Sequence, residues 1–351
     1  MPLALRRALA LAILVPVALA AQRPTRAADV KRILYPLADD SMGGRLTGSP
    51  GEAMAARFIA AEMQRIGLKP LGDSGYFQKV PVAAVPLATP SRSGRTERLM
   101  LLKSFAERDT FPAERRRPSV NVLGMIEGSD PVLKHDVVLV DAHFDHIGVG
   151  LPVKGDSIYN GADDDASGVT AVLEIARQIA AGPVPKRTVI FATNTGEEVG
   201  LFGTRWFIDH PPVPLAQFVA NLEIEMIDRP DSLAGGAGRA WLTGFERSNM
   251  GEQLAAAGIP IVADKRPEQH FFERSDNIAF ARKGIVAHTL STFNLHTDYH
   301  QPSDEVQGAD LEHMAAVINA AARAVRVLSD GPKPEWKPGG QPGTPAPRPR
   351  P

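Results

Sequence analysis

From residue 120 to about residue 328, runs rich in β-formers alternate with runs of helical period, and this alternation limits the fold more than any other feature. Strands are expected at 120–126, 137–141, 188–193, 221–227, 240–243 and 285–292, and helices at 167–180, 248–257 and 310–328. The first of those helices carries Val169, Val172, Ile175 and Ile179 on one face. The pattern implies an α/β sandwich around a mostly parallel central sheet. Upstream, Ser49 is placed to cap a helix, Pro50 suits its first position and Glu52 completes a capping box. Phe58, Ile59, Met63 and Ile66 then share a face before Gly67 ends the helix. A shorter helix is expected at 30–37, and the proline-punctuated stretch 80–117 carries no clear period.

With 44% hydrophobic and 23% charged residues among 351, the chain is of ordinary globular composition. Residues 1–20 have the layout of a secretory signal: Arg6 and Arg7, an apolar run from Ala8 to Val17, then a small-x-small end. The expected organisation is a signal peptide over 1–20, a leader with helices over 21–118, a catalytic domain over 119–330 and a disordered tail over 331–351. The tail holds eight prolines in 21 residues. Lys+Arg number 39 against 40 Asp+Glu, and removing the signal peptide takes two arginines, for a mature charge of −3. That balance argues against a nucleic-acid partner. Beyond the leader no run approaches the ~20 apolar residues of a membrane span. The expected location is therefore the periplasm or the exterior. Zero cysteines exclude disulfides, a thiol nucleophile and thiolate metal ligands, so any metal must be held by His, Asp and Glu.

Five clusters of such residues fall at expected strand ends or in the loops after them: His143-Phe-Asp145, Asp163 to Gly168, Gly196-Glu-Glu198, Glu223-Ile-Glu225 and His296 to His300. Singly, each has a plain structural explanation as a helix cap, a solvated turn or a satisfied histidine. Their order along one cysteine-free chain is harder to dismiss. The strings Asp141-Ala-His-Phe-Asp-His-Ile-Gly148, Gly161-Ala-Asp-Asp-Asp-Ala-Ser-Gly168, Thr195-Gly-Glu-Glu-Val-Gly-Leu-Phe-Gly203, Arg274-Ser-Asp276 and Asp298-Tyr-His-Gln-Pro-Ser-Asp304 resemble the di-zinc aminopeptidases of the bacterial leucyl aminopeptidase type. That family is related to glutamate carboxypeptidase and glutaminyl cyclase. The leader from Leu37 through Arg45 to Pro70 is similar to the N-terminal region of the same family.

The resemblance implies a three-layer α/β/α zinc-exopeptidase fold with a mixed, mostly parallel sheet, two Zn²⁺ per chain and peptide substrates. It makes His143, Asp164, Glu198, Glu225 and His300 the metal ligands. Asp164 would bridge, Glu225 would complete the shell of the metal bound by His143, and Glu198 would serve the opposite metal or the site of His300. Three carboxylates and a bridging hydroxide would balance two Zn²⁺. Asp145 would orient the His143 ring, Glu197 would act as general base and Tyr299 would bond the oxyanion. Arg274 is a candidate substrate contact, the alternative being a salt bridge to Asp276. His146 and His296 are expected to bond locally, and His288 to be structural. The chain departs from the family at Glu225, usually Asp, at Asp228, usually Gly, and at Asp165, commonly Asn. Glutaminyl cyclisation, dipeptidase or carboxypeptidase activity, and a non-catalytic binding module on the same scaffold are the competing functions. The absence of a Gly-x-Ser-x-Gly elbow disfavours a serine hydrolase.

Overall fold

The computed structural model describes residues 23–90 and 94–343, so the signal-like leader 1–20 and the last part of the tail, 344–351, lie outside the described residues. The described strands are β1 (Lys69–Pro70), β2 (Phe77–Pro86), β3 (Glu97–Leu101), β4 (Arg116–Ile126), β5 (Val137–His143), β6 (Gly148–Val153), β7 (Asp156–Tyr159), β8 (Thr188–Asn194), β9 (Phe218–Ile224), β10 (Ala240–Leu242), β11 (Ile261–Ala263) and β12 (Val286–Ser291). The α-helices are α1 (Ala27–Leu37), α2 (Pro50–Ile66), α3 (Phe105–Asp109), α4 (Gly168–Ala181), α5 (Phe202–Asp209), α6 (Met250–Ala256), α7 (Asn277–Arg282) and α8 (Leu311–Asp330).

Among the described residues, ten strands form one sheet in the order β11-β10-β12-β9-β5-β8-β4-β2-β3, with β1 beside β4. The centre, β8-β5-β9-β12, is parallel, while β4, β2 and β3 on one flank and β10 on the other run antiparallel to their inner neighbours. β5, β8, β9 and β12 are buried along their whole length, as parallel strands covered on both faces must be. Side-chain alternation splits them between two cores. Val138 and Val140 face α1, α2, α4 and α8 through Leu34, Ile59, Val172 and Ile318, whereas Val137 and Leu139 face α5 and α7 through Phe207 and Phe280. This is the mixed α/β/α sandwich expected from the sequence.

Ser49 caps α2 by accepting the Glu52 N–H at 3.1 Å, and Gly67 closes it at φ +88°. Glu52 does not reach back to the cap residue as a capping box requires. Its carboxyl accepts the Gly48 N–H at 2.6 Å and turns inward to the hydroxyls of Ser119 and Thr195. The boundary read at residue 118 falls inside β4, and the stretch 80–117 supplies β2 and β3 of the same sheet, so the leader is continuous with the core. Residues 331–343 also depart from the expected tether. Trp336 bridges Ser248, donates its indole N–H to Gly284 O at 3.0 Å and packs against both cores, and Lys337 pairs with Glu252. One aromatic ring has enough apolar area to seat a proline-rich strand. No helix among the described residues is long and apolar enough to cross a membrane.

Candidate metal centre

The candidate ligands collect at the carboxyl ends of the parallel strands, where an open α/β sheet leaves a crevice. β5 ends on His143 and the chain turns past Asp145 and His146, all three buried. Residues 162–167 lead from the β6–β7 hairpin into α4 and carry Asp163, Asp164 and Asp165. Gly161 opens that segment at φ +58°, where an added Cβ would stand 2.1 Å from the Asp164 carbonyl oxygen. Glu197 and Glu198 follow β8, Glu225 follows β9, and Tyr299 and His300 come after β12.

Asp164 is the hub. Its Oδ1 lies 3.1 Å from His143 Nε2 and its Oδ2 3.2 Å from His300 Nε2. Glu198 Oε2 is also 3.2 Å from His300 Nε2, and its Oε1 is 2.8 Å from His146 Nδ1. Two sets of donor atoms are close enough to hold an ion, His143–Asp164–Glu225 and His146–Asp164–Glu198, and they share Asp164. His143 Nε2, both His146 ring nitrogens and Glu198 Oε1 are buried with no aligned hydrogen-bond partner among the described residues. Unpartnered imidazole nitrogens beside carboxylate oxygens make a donor set that suits zinc.

The electrostatics agree with a cation-holding site. Burial, followed by the charge of Glu223, pushes the Glu225 carboxyl up to about 8. Burial, with Glu225 and Glu198 nearby, raises Glu197 well above the carboxylate range. At His300 burial favours the neutral ring, yet hydrogen bonds to Asp164 and Glu198 lift it to about 10. So many carboxyls packed together need positive charge, and a divalent cation supplies more of it than a protonated imidazole.

Several side chains stand otherwise than the sequence suggested. The His143 ring is oriented by the backbone carbonyl of Asp145, 3.1 Å from Nδ1, while the Asp145 carboxylate oxygen is 3.8 Å away. That carboxylate instead accepts the Glu197 N–H at 3.0 Å and the Thr47 hydroxyl at 2.9 Å, so it fixes the backbone of the candidate base. His146, expected to bond locally, is turned toward Glu198 and Asp164. Arg274 does not pair with Asp276; its guanidinium lies over the Phe271 ring at 5.0 Å. His296 lies 2.9 Å from Asp163, and His288 is buried between Thr243 O and Ser248 Oγ, its pKa lowered to about 4 by burial.

The departures from the family pattern have local explanations. Asp165 Oδ1 caps α4 by accepting the Gly168 N–H at 2.9 Å and also takes the Met226 N–H at 3.1 Å, roles an asparagine carbonyl fills equally. Asp228 is fully buried with its carboxylate 3.3 Å from Arg229 Nε, and burial, then the Asp163 charge, raises its pKa. Glu225 reaches the His143–Asp164 set despite its extra methylene.

Arg45 had no signal in composition or period. It is buried, at 1% exposure, and donates to the carbonyls of Leu37, Phe144, Asn160 and Gly161. It thereby ties the leader to both loops that carry His143 and Asp164. Glu223, two residues before Glu225, accepts from Ser275 Oγ, Thr289 Oγ1 and the N–H groups of Asp276 and Asn277, fastening α7 and β12 beneath the site. Beside the candidate ligands, Asp164, Glu197 and Glu225 share a small pocket with Met226, Trp241, Phe271, Arg274, Phe293 and Tyr299. Trp241 and Phe271 stack at 5.1 Å, and Tyr299 stacks on His300 at 3.9 Å.

Comparison with known proteins places this geometry in context. A zinc aminopeptidase from Bacillus subtilis superposes with a TM-score of 0.60 at 17% identity, covering 88% of this chain and 96% of that one. Glutaminyl cyclase from Porphyromonas gingivalis superposes with a TM-score of 0.58 at 15% identity, covering 86% and 99%. These likenesses establish the fold. Among curated relatives, the vacuolar membrane protease of Botryotinia fuckeliana is 26% identical over 216 residues, 60% of this chain but only 18% of that protein. This chain thus matches less than a fifth of that relative's length. The model of peptidase family M28 matches residues 121–325, from β4 into α8 and across every candidate ligand, and the chain belongs to that family.

Proposed function

We propose that this chain is an exported, zinc-dependent aminopeptidase that hydrolyses the N-terminal residue from peptides. The observation that carries the reading is the pair of ligand sets sharing Asp164, with Glu197 beside both. One Zn²⁺ would be held by His143, Asp164 and Glu225, and a second by Asp164 and Glu198 with His300 and His146 in reach. Bound zinc supplies Lewis acidity toward the scissile carbonyl and lowers the pKa of water toward ~7.

The protein's own groups do the rest. Glu197, held by its N–H on Asp145, takes a proton from the attacking water and delivers it to the leaving amine nitrogen. Tyr299, whose phenol is kept protonated by burial and by the charges of Asp164 and Glu198, donates to the developing oxyanion. Met226, Trp241, Phe271 and Phe293 give an apolar seat to the side chain of the first residue. The charged lining of that pocket is Asp164, Glu197 and Glu225, with Arg274 at an exposed position. With Asp164 and Glu225 engaged by zinc, Glu197 is the carboxylate of that lining left to meet a terminal ammonium, and the likeness to the zinc aminopeptidase fold supports amino- over carboxypeptidase action. The leader over 1–20 supports export, and the family supports peptides as substrates.

The test is to purify residues 21–351, measure zinc per chain by elemental analysis, and assay aminoacyl-p-nitroanilides with and without chelator. About two zinc ions and chelator-sensitive release that collapses in Glu197→Gln are expected. Absence of zinc and of turnover would favour a binding module, and one zinc with cyclisation of N-terminal glutamine would favour a cyclase, a reading that the likeness to the Porphyromonas fold keeps in play.

A further inference from the structure

Distinct from the aromatic pocket is an open cleft of about 860 Å³. The two cavities share no lining residue. Thr47, which lines the cleft, donates to Asp145, and Val199 follows Glu198 directly. Arg95, also on the cleft wall, donates to the carbonyl of Ile147, next to His146. The cleft therefore begins beside the loops that carry His146 and Glu198, whereas the pocket lies beside Glu225.

Its floor is the outermost strand of the sheet. β3 pairs with β2 only, among the described residues, and besides residues 94–101 the cleft takes in Arg117 of β4 and Val199, Phe202 and Arg205 around the start of α5, so it covers both the rim and the adjoining face of the sheet. An extended peptide can add to such an edge through its backbone. The charged lining is one-sided: Arg95, Arg98, Arg117 and Arg205 against Glu97 alone, and Glu97 already pairs with Arg117 at 2.6 Å. Arg98 and Arg205 are exposed and have no ion pair among the described residues. Arg98 touches Met100 Sδ, and Arg205 donates weakly to Gly200 O at 3.4 Å.

We infer that this arginine-lined cleft receives the part of the substrate beyond the scissile bond and selects peptides bearing carboxylates there. The inference rests on the aminopeptidase reading for its direction, since the first residue sits in the aromatic pocket and the departing chain leaves past Glu198. The carboxylate can come from Asp or Glu side chains or from the peptide's C-terminus, which share the same chemistry toward a guanidinium.

The experiment compares Leu-Gly-Asp-Asp and Leu-Gly-Lys-Lys, each as free acid and as C-terminal amide, on the zinc-loaded chain and on the Arg98→Glu/Arg205→Glu double variant. Leucine-p-nitroanilide, which has no downstream residue, is the reference. The expected result is a KM about tenfold lower for the acidic peptide than for the lysine peptide. The double variant should lose or invert that preference while its rate on the anilide is unchanged. If amidation raises KM equally for both peptides, the recognised group is the C-terminus; if the preference for the acidic peptide persists in the amides, it is the Asp side chain. Equal KM values for acidic and basic peptides that amidation leaves unchanged would overturn the inference and leave the aminopeptidase reading intact. Should no substrate be cleaved, anisotropy of a fluorescein-labelled Gly-Asp-Asp-Asp peptide still decides. Salt-sensitive binding that weakens about tenfold in the double variant supports the cleft, and equal binding to both proteins overturns it.

Discussion

Raising the pH should destabilise this protein through Glu52, a carboxyl far from any candidate ligand in sequence and only 1% exposed. It accepts the Gly48 N–H at 2.6 Å and the Ser119 hydroxyl at 2.5 Å, and it also meets the Thr195 hydroxyl. Burial outweighs these bonds and pushes its pKa up to about 8 from the ordinary 4.5. Between those values the native state keeps a proton that the unfolded chain has released. Stability is then fully present below pH 4.5 and falls as pH rises toward 8. At 1.36 kcal/mol per unit the loss is roughly 5 kcal/mol, a large part of the stability of a typical domain. Glu52→Gln mimics the protonated form, its carbonyl facing the Gly48 N–H and its amide donating to the two hydroxyls. Urea unfolding of both proteins at pH 5, 6.5, 8 and 9 should give stabilities within about 1 kcal/mol of each other at pH 5 and a variant more stable by several kcal/mol at pH 8. Stability curves that stay parallel from pH 5 to 9 would refute the assignment of a buried, proton-holding Glu52.

Glu197→Gln should keep its zinc by elemental analysis while kcat falls by roughly 10²–10⁴, because only the proton transfer is removed; loss of metal in step with activity would make Glu197 a ligand instead. Arg45→Met leaves the carbonyls of Leu37, Phe144, Asn160 and Gly161 without their donor, which should cost about 3–5 kcal/mol in thermal or urea unfolding. The same variant should lower zinc affinity some 10–100-fold in a chelator competition, since both ligand loops hang on that side chain; unchanged affinity in the folded variant would limit Arg45 to a structural role. Ending the chain after Gly331 should lower stability by about 2 kcal/mol through loss of the half-buried Trp336 ring, as differential scanning calorimetry would show.

Much of the layout is legible in residue order because the central strands are buried on both faces. Runs such as Val137 to Val140 and Val189 to Ala192 have no room for polar residues, and each points at a cluster of candidate ligands just past its end. The 80–117 stretch is opaque in sequence for a physical reason. Pro81 and Pro118 sit opposite each other in the β2–β4 register, so the strand pair contains prolines that a sequence pattern takes for breaks. The ligand clusters could be read singly, but which nitrogen meets which oxygen depends on how loops fold over the strand ends. Hence His146 facing Glu198, and the Asp145 carboxylate serving the Glu197 backbone rather than the His143 ring, could emerge only in three dimensions. Arg45 is hidden by its chemistry: an arginine reads as surface until four main-chain carbonyls are found around it.

Hydrolysis at a free N-terminus is tested most directly by mass spectrometry of one peptide, Gln-Leu-Gly-Asp-Asp, incubated with the zinc-loaded chain in its free and N-acetylated forms. Loss of the first residue from the free peptide, with the acetylated one untouched and both spared by chelator, is the result that Glu197, Tyr299 and the aromatic pocket call for. Loss of residues from the C-terminus, cleavage of the blocked peptide, or a loss of ammonia without hydrolysis would contradict it and assign the centre to a carboxypeptidase, an endopeptidase or a cyclase respectively.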